Sequence, residues 1–139
     1  MVTSFYQSSA NRVYFYPLFN LRNLLYLIFL VSLLKHEAQH TVDMKQFPGI
    51  TPAELEYRAK LVELHYASDL GLLQKFLSEA DESRANDSHA IASARLKLEF
   101  ANTDQTNLSG IQTRALELLH AHTKEMEAKY RKQKTVSNG

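Results

Sequence analysis

Apolar side chains run from Leu18 to Leu34, broken by Asn20, Arg22 and Asn23, and no Gly or Pro separates Leu18 from His40. That continuity predicts one helix over roughly 18–42. Phe47-Pro48-Gly49 then breaks the chain, and a new helix starts cleanly. Thr51 stands at the N-cap, Pro52 at N1 and Glu54 at N3, the signature of a capping box. Leu55, Ala59, Val62, Tyr66, Leu73 and Phe76 recur at helical spacing and extend this second helix to about residue 80. A polar connection follows through Asp81-Glu82-Ser83 and Asn86-Asp87-Ser88. Ile91, Ala94, Leu98 and Ala101 predict a third helix over 88–101. Leu108, Ile111, Ala115, Leu118, Leu119 and Met126 predict a fourth over 108–132, fraying from Lys129 into a disordered tail, 133–139. At the other end, residues 1–12 are polar and read as a flexible tail. Val13-Tyr14-Phe15-Tyr16, stopped by Pro17, is either a short strand or the aromatic approach to a membrane segment. The fold class expected is mainly α, a compact four-helix domain over 13–132 with at most one short N-terminal strand.

Composition narrows the function. At 139 residues the chain has the length of one domain. Its sixteen basic and fifteen acidic residues leave a net charge of +1, with no electrostatic footprint for nucleic acid. The absence of Cys removes disulfides, thiolate metal sites and thiol chemistry together. The uncharged part of the apolar run, Asn23 to Leu34, has twelve residues, short of the ~20 that span a bilayer. This favours a buried lead-in, 18–34, to the first helix. Extended back to Val13 the segment contains only Arg22 as a charge, so a membrane partner through residues 13–34 stays open, and a membrane-associated or exported protein is expected over a plain cytosolic one. Signal cleavage is disfavoured, because the well-placed small residue, Ala38, lies inside the next feature.

That feature is His36-Glu37-Ala38-Gln39-His40. H-E-x-x-H on a helix sets two imidazoles one turn apart on one face, where they can share one Zn²⁺. The Glu between them projects beside a water that such a metal would activate. A third ligand must come from elsewhere. Glu56 and Glu63, seven apart on the second helix, both qualify by position, whereas Glu54 is taken by the capping box. Asp43 and Gln46 stand where a metzincin continuation would need Gly and His.

H-E-A-Q-H-T-V-D followed by L-E-Y-R-A-K-L-V-E resembles the Glu-ligand branch of the zincin metallopeptidases, over roughly residues 24–66. The resemblance implies zinc held by His36, His40 and Glu56, with Glu37 as general base for hydrolysis of a peptide or protein substrate. It also implies an α+β domain, here truncated, and an oxyanion-stabilising His or Tyr, for which Tyr57, His65, Tyr66 and His89 are available. Asp43 and Glu63 are the expected hydrogen-bond partners of the ligand imidazoles. His120 and His122, two apart on a helix, make a poor chelate and read as surface residues. Two rival readings stand beside this one. In the first, a membrane anchor carries a helical hairpin that binds a partner without catalysis. In the second, a peptidase remnant binds zinc without efficient turnover.

Overall fold

The computed structural model describes residues 21–137, apart from 82 and 85. Five helices follow one another: α1 (Leu21–Gln46), α2 (Pro52–His65), α3 (Gly71–Ser78), α4 (Ser88–Glu99) and α5 (Leu108–Ser137). The protein is mainly helical, and the described residues include no strand. The expected tail 1–12 and strand 13–16 lie outside the described residues.

α1 is continuous through His36 and His40 and ends only at the Phe47-Pro48-Gly49 turn. Gly49 adopts φ +91°, a left-handed conformation that a side chain would strain, and the chain reverses there. Thr51 then caps α2 as expected: its hydroxyl accepts from the Glu54 N–H, and the Glu54 carboxylate accepts from the Thr51 N–H. The long second helix expected over 52–80 is in fact two. α2 stops at His65, and α3 begins at Gly71, whose N–H donates to the Asp69 carboxylate 2.7 Å away. Asp69 offers the backbone an alternative to helical bonding, and Gln112 Nε2 satisfies the freed carbonyl of Ala67 at 2.8 Å. At the far end α5 runs to Ser137, so residues 133–137 continue the helix instead of forming a separate tail; no Gly or Pro stands between Ile111 and Ser137.

α2 is the centre of the fold, touching α1, α3, α4 and α5. Tyr57, Leu61 and Leu64 carry its share of the core, against Leu96 on α4, Phe100 at the C-cap of α4, and Ile111 and Ala115 on α5. A helix surrounded this way has no single apolar stripe. The expected stripe was therefore partly misplaced: Ala59, Leu73 and Phe76 are buried, but Tyr66 is 59% exposed. α4 likewise turns Ala92, Ser93 and Leu96 inward and leaves Ile91 and Leu98 outside. On α5 the expectation holds for Ile111, Ala115, Leu118 and Met126.

At the positions whose side chains are described, the apolar lead-in is largely exposed instead of buried as expected. Tyr26 and Phe29 are about 60% exposed and Leu34 more so. The reason is the early stop of α2. It runs antiparallel to α1, and its last turn meets α1 at Ser32, which pairs with Glu63. No helix among the described residues is long and apolar enough to cross a membrane.

Candidate metal centre

His36 and His40 stand one turn apart on α1, their ring centroids separated by 4.5 Å. α2 faces them with two carboxylates. Glu63 Oε1 lies 2.7 Å from His36 Nδ1, and its second oxygen accepts from the Ser32 hydroxyl. Glu56 lies between the two imidazoles, with Oε2 3.3 Å from His36 Nε2 and Oε1 3.7 Å from His40 Nε2. One donor atom each from His36, His40 and Glu56 thus falls within 4.8 Å of the others, the spread that a single ion can bridge. His40 Nε2 and Glu56 Oε2 are also shielded from solvent with no well-directed hydrogen bond, although imidazole nitrogens approach Oε2 off line. Buried polar atoms ordinarily find partners, so these two donors fit a cation held between them.

The electrostatics follow from that crowding. The close polar contact with Glu56, then the hydrogen bond to Glu63, raises the His36 pKa to about 9 against the opposing pull of burial. For Glu56 the largest influence, burial, works upward, yet its pKa ends below the usual carboxylate range. The hydrogen bond from His36 and the charges of His89, His36 and His40 together outweigh desolvation. With a metal bound, the Glu63 carboxylate would keep the His36 ring oriented with Nε2 toward the ion.

His89, one of the residues available in the sequence for stabilising charge, reaches this cluster. It opens α4, where Asp87 caps the helix by accepting from the N–H groups of His89 and Ala90. That cap aims His89 Nδ1 at Glu56 Oε2, 3.1 Å away, and its ring lies parallel to His36 at 6.5 Å. The signal available in the sequence was the Asp-Ser-His run at a helix start, which locates the residue on its helix but not opposite α1.

Glu37 is exposed, and it lines the same cavity as His36, His40, Glu56 and His89, a space of about 980 Å³ between α1, α2 and α3. Of the other residues considered for stabilising developing charge, Tyr66 lines this cavity, while Tyr57 and His65 do not. Tyr57 is in the core, and His65 Nδ1 donates to the Gln112 carbonyl. Asp43 does not orient His40. It is fully buried and pairs with Arg58 Nε at 2.8 Å, a contact off the line of a good hydrogen bond and so held by charge. His122 is not a surface residue either. It is buried edge-on to Tyr57, beside Arg58, and burial with the charges of Arg95 and Arg58 lowers its pKa to about 4.

No family model, curated protein or solved structure matches the chain, and the case for a site rests on this geometry alone.

Proposed function

We propose that His36, His40 and Glu56 hold one Zn²⁺ and that the protein hydrolyses peptide bonds, with α1 as the active-site helix and Glu37 as general base. One observation carries this reading: three donor atoms converge at a cavity wall, two of them buried and otherwise poorly bonded, with Glu63 behind His36 to orient it. Zinc, when bound, would acidify a water molecule and polarise a scissile carbonyl. The chain supplies the rest. Glu37 is exposed to the cavity beside the ligand imidazoles, so it is free to accept a proton and return it to the leaving amine. Glu56, hemmed in by three imidazoles, is not, and its role is to ligate. The cavity lining of Tyr66 with the α3 residues Leu72 and Phe76 would give a short peptide an apolar surface to lie against.

A second reading, a helical interaction protein, is favoured by the exposed apolar face of α1 at Tyr26, Phe29 and Leu34. Zinc stoichiometry of the purified protein separates the two. The hydrolase reading expects one zinc per chain, lost in His36→Ala and weakened in Glu56→Ala. It also expects Glu37→Gln to keep zinc and lose turnover of a peptide library. If His36→Ala and Glu56→Ala leave zinc content unchanged, the interaction reading takes its place.

A further inference from the structure

The cavity beside the candidate metal centre has a charge balance that specifies what can enter it. Its carboxylates are mostly committed within the protein. Glu56 and Glu63 face the imidazoles. Glu79 pairs with Lys60 at 2.5 Å, and that lysine, buried on α2 one turn beyond Glu56, is thereby neutralised. Asp69 caps α3. Two ammonium groups on the lining have no such partner: among the described residues, neither Lys35 nor Lys75 has a carboxylate within ion-pair distance. Each sits instead near an aromatic ring, Lys35 Nζ 4.0 Å from the Tyr66 centroid and Lys75 Nζ 6.0 Å from that of Phe76. A ring holds an ammonium in place without neutralising it. Among the described residues of the lining, Glu37 is the one carboxylate with no ion-pair or hydrogen-bond partner, and it stands two residues beyond Lys35 on a helix, a spacing at which side chains do not face each other.

Around these cations the walls are apolar. Phe29 and Leu33 on α1 face Leu72 and Phe76 on α3 across the same cavity. We propose that the site takes short peptides carrying a carboxylate next to an apolar side chain, with Lys35 and Lys75 receiving the carboxylate and the α1 and α3 walls receiving the side chain. The carboxylate is either the free C-terminus or an acidic side chain, since the two present the same anion. For what happens to the peptide afterwards this rests on the zinc-hydrolase reading; the binding preference rests on the lysines and the walls.

The test is a fluorescence titration of the full-length protein with three probes: dansyl-Ala-Ala-Phe as the free acid, its C-terminal amide, and dansyl-Ala-Glu-Phe amide. Each is measured with added ZnCl₂ and again with EDTA, because a carboxylate that binds only through the metal would lose its preference in EDTA. The free acid should bind about tenfold more tightly than the neutral amide in both conditions. A comparable gain for the Glu-containing amide would assign the anion to an acidic side chain, and its absence to the C-terminus. Lys35→Met with Lys75→Met should bring all three probes level, while Lys35→Arg with Lys75→Arg should restore the preference and show that the fold is intact. Equal binding of all three probes to the wild-type protein would overturn the proposal, as would a preference that survives the double Met variant or disappears in EDTA. Zinc content measured on the same samples keeps the outcomes separate. Zinc held with no carboxylate preference refutes only this inference, whereas a preference without zinc refutes only the hydrolase reading.

Discussion

At the proposed zinc site, metal and proton would compete for the same imidazole. Glu56 and Glu63 hold a proton on His36 up to about pH 9, and a metal ligand must give that proton up. At full strength the two units between pH 7 and 9 would reduce apparent zinc affinity about a hundredfold at neutrality. Solvent at the half-open cavity screens these pairs, so about tenfold is the better expectation. Apparent affinity should therefore rise about tenfold from pH 7 to pH 9 and then level off. Glu63→Gln perturbs both sides of this balance. It removes one of the two carboxylates that raise His36, so the proton is held less tightly and competes less at pH 7. It also loosens the orientation of the ring, which weakens a metal site about ten- to a hundredfold. The variant should accordingly bind zinc more weakly than wild type at pH 9, with a smaller gap at pH 7. Competition against a chromophoric chelator at pH 7, 8 and 9 measures both, and calorimetry in buffers of different ionisation enthalpy counts the protons released. Affinity that is flat from pH 7 to 9, or a gap that widens toward pH 7, would refute the reasoning.

Three further predictions concern the fold that carries the site. Asp43→Asn leaves the buried Arg58 guanidinium without an anionic partner, beside Thr123 at 3.0 Å, His122 and the Phe47 ring, and should cost about 3 kcal/mol in urea unfolding. Lys129→Ala, which breaks an exposed pair with Glu54, should cost under ~1 kcal/mol in the same assay. His122 titrates lower in the folded protein than in the unfolded chain, so as pH falls below 6.5 the unfolded state takes up its proton first. Stability should drop by about 2 kcal/mol between pH 6.5 and 4, allowing for screening, with no further loss from this group below its folded pKa. His122→Gln should flatten that part of the profile; an unchanged slope would show that other groups cause it.

How much of this was legible in the sequence depends on how local each cause is. Thr51 and Glu54 cap a helix through contacts three residues apart, and the capping box was readable. The one-turn spacing of His36 and His40 was equally local. Glu56 and Glu63 were readable as a line, because seven residues bring a helix back to the same face. Which of them meets which imidazole depends on the register of α1 against α2, and no local signal sets that. The break after His65 was missed because Leu73 and Phe76 keep the helical period across it, while the Asp69 contact that starts α3 looks like any surface acid. His122 was misread because what buries it, Tyr57 and Arg58, lies more than sixty residues earlier in the chain.

Those misreadings share an origin in α2, and it explains why the candidate site sits where it does. A helix covered on one side needs one apolar stripe, and its charged residues can all face water. α2 is covered by four neighbours, so Glu56, Arg58 and Lys60 are carried inward along with Tyr57, Leu61 and Leu64. Each buried charge must then meet an opposite one from a neighbouring element. Arg58 meets Asp43 of α1, Lys60 meets Glu79 after α3, and Glu56 meets imidazoles from α1 and α4. The first two are complete pairs, one cation to one anion. Glu56 differs in facing three groups that are cationic only when protonated, with a second carboxylate, Glu63, behind one of them. Of the three buried positions it alone gathers more nitrogen and carboxylate donors than a single ion pair requires, and such a cluster of donors in a small space is what a divalent cation would satisfy.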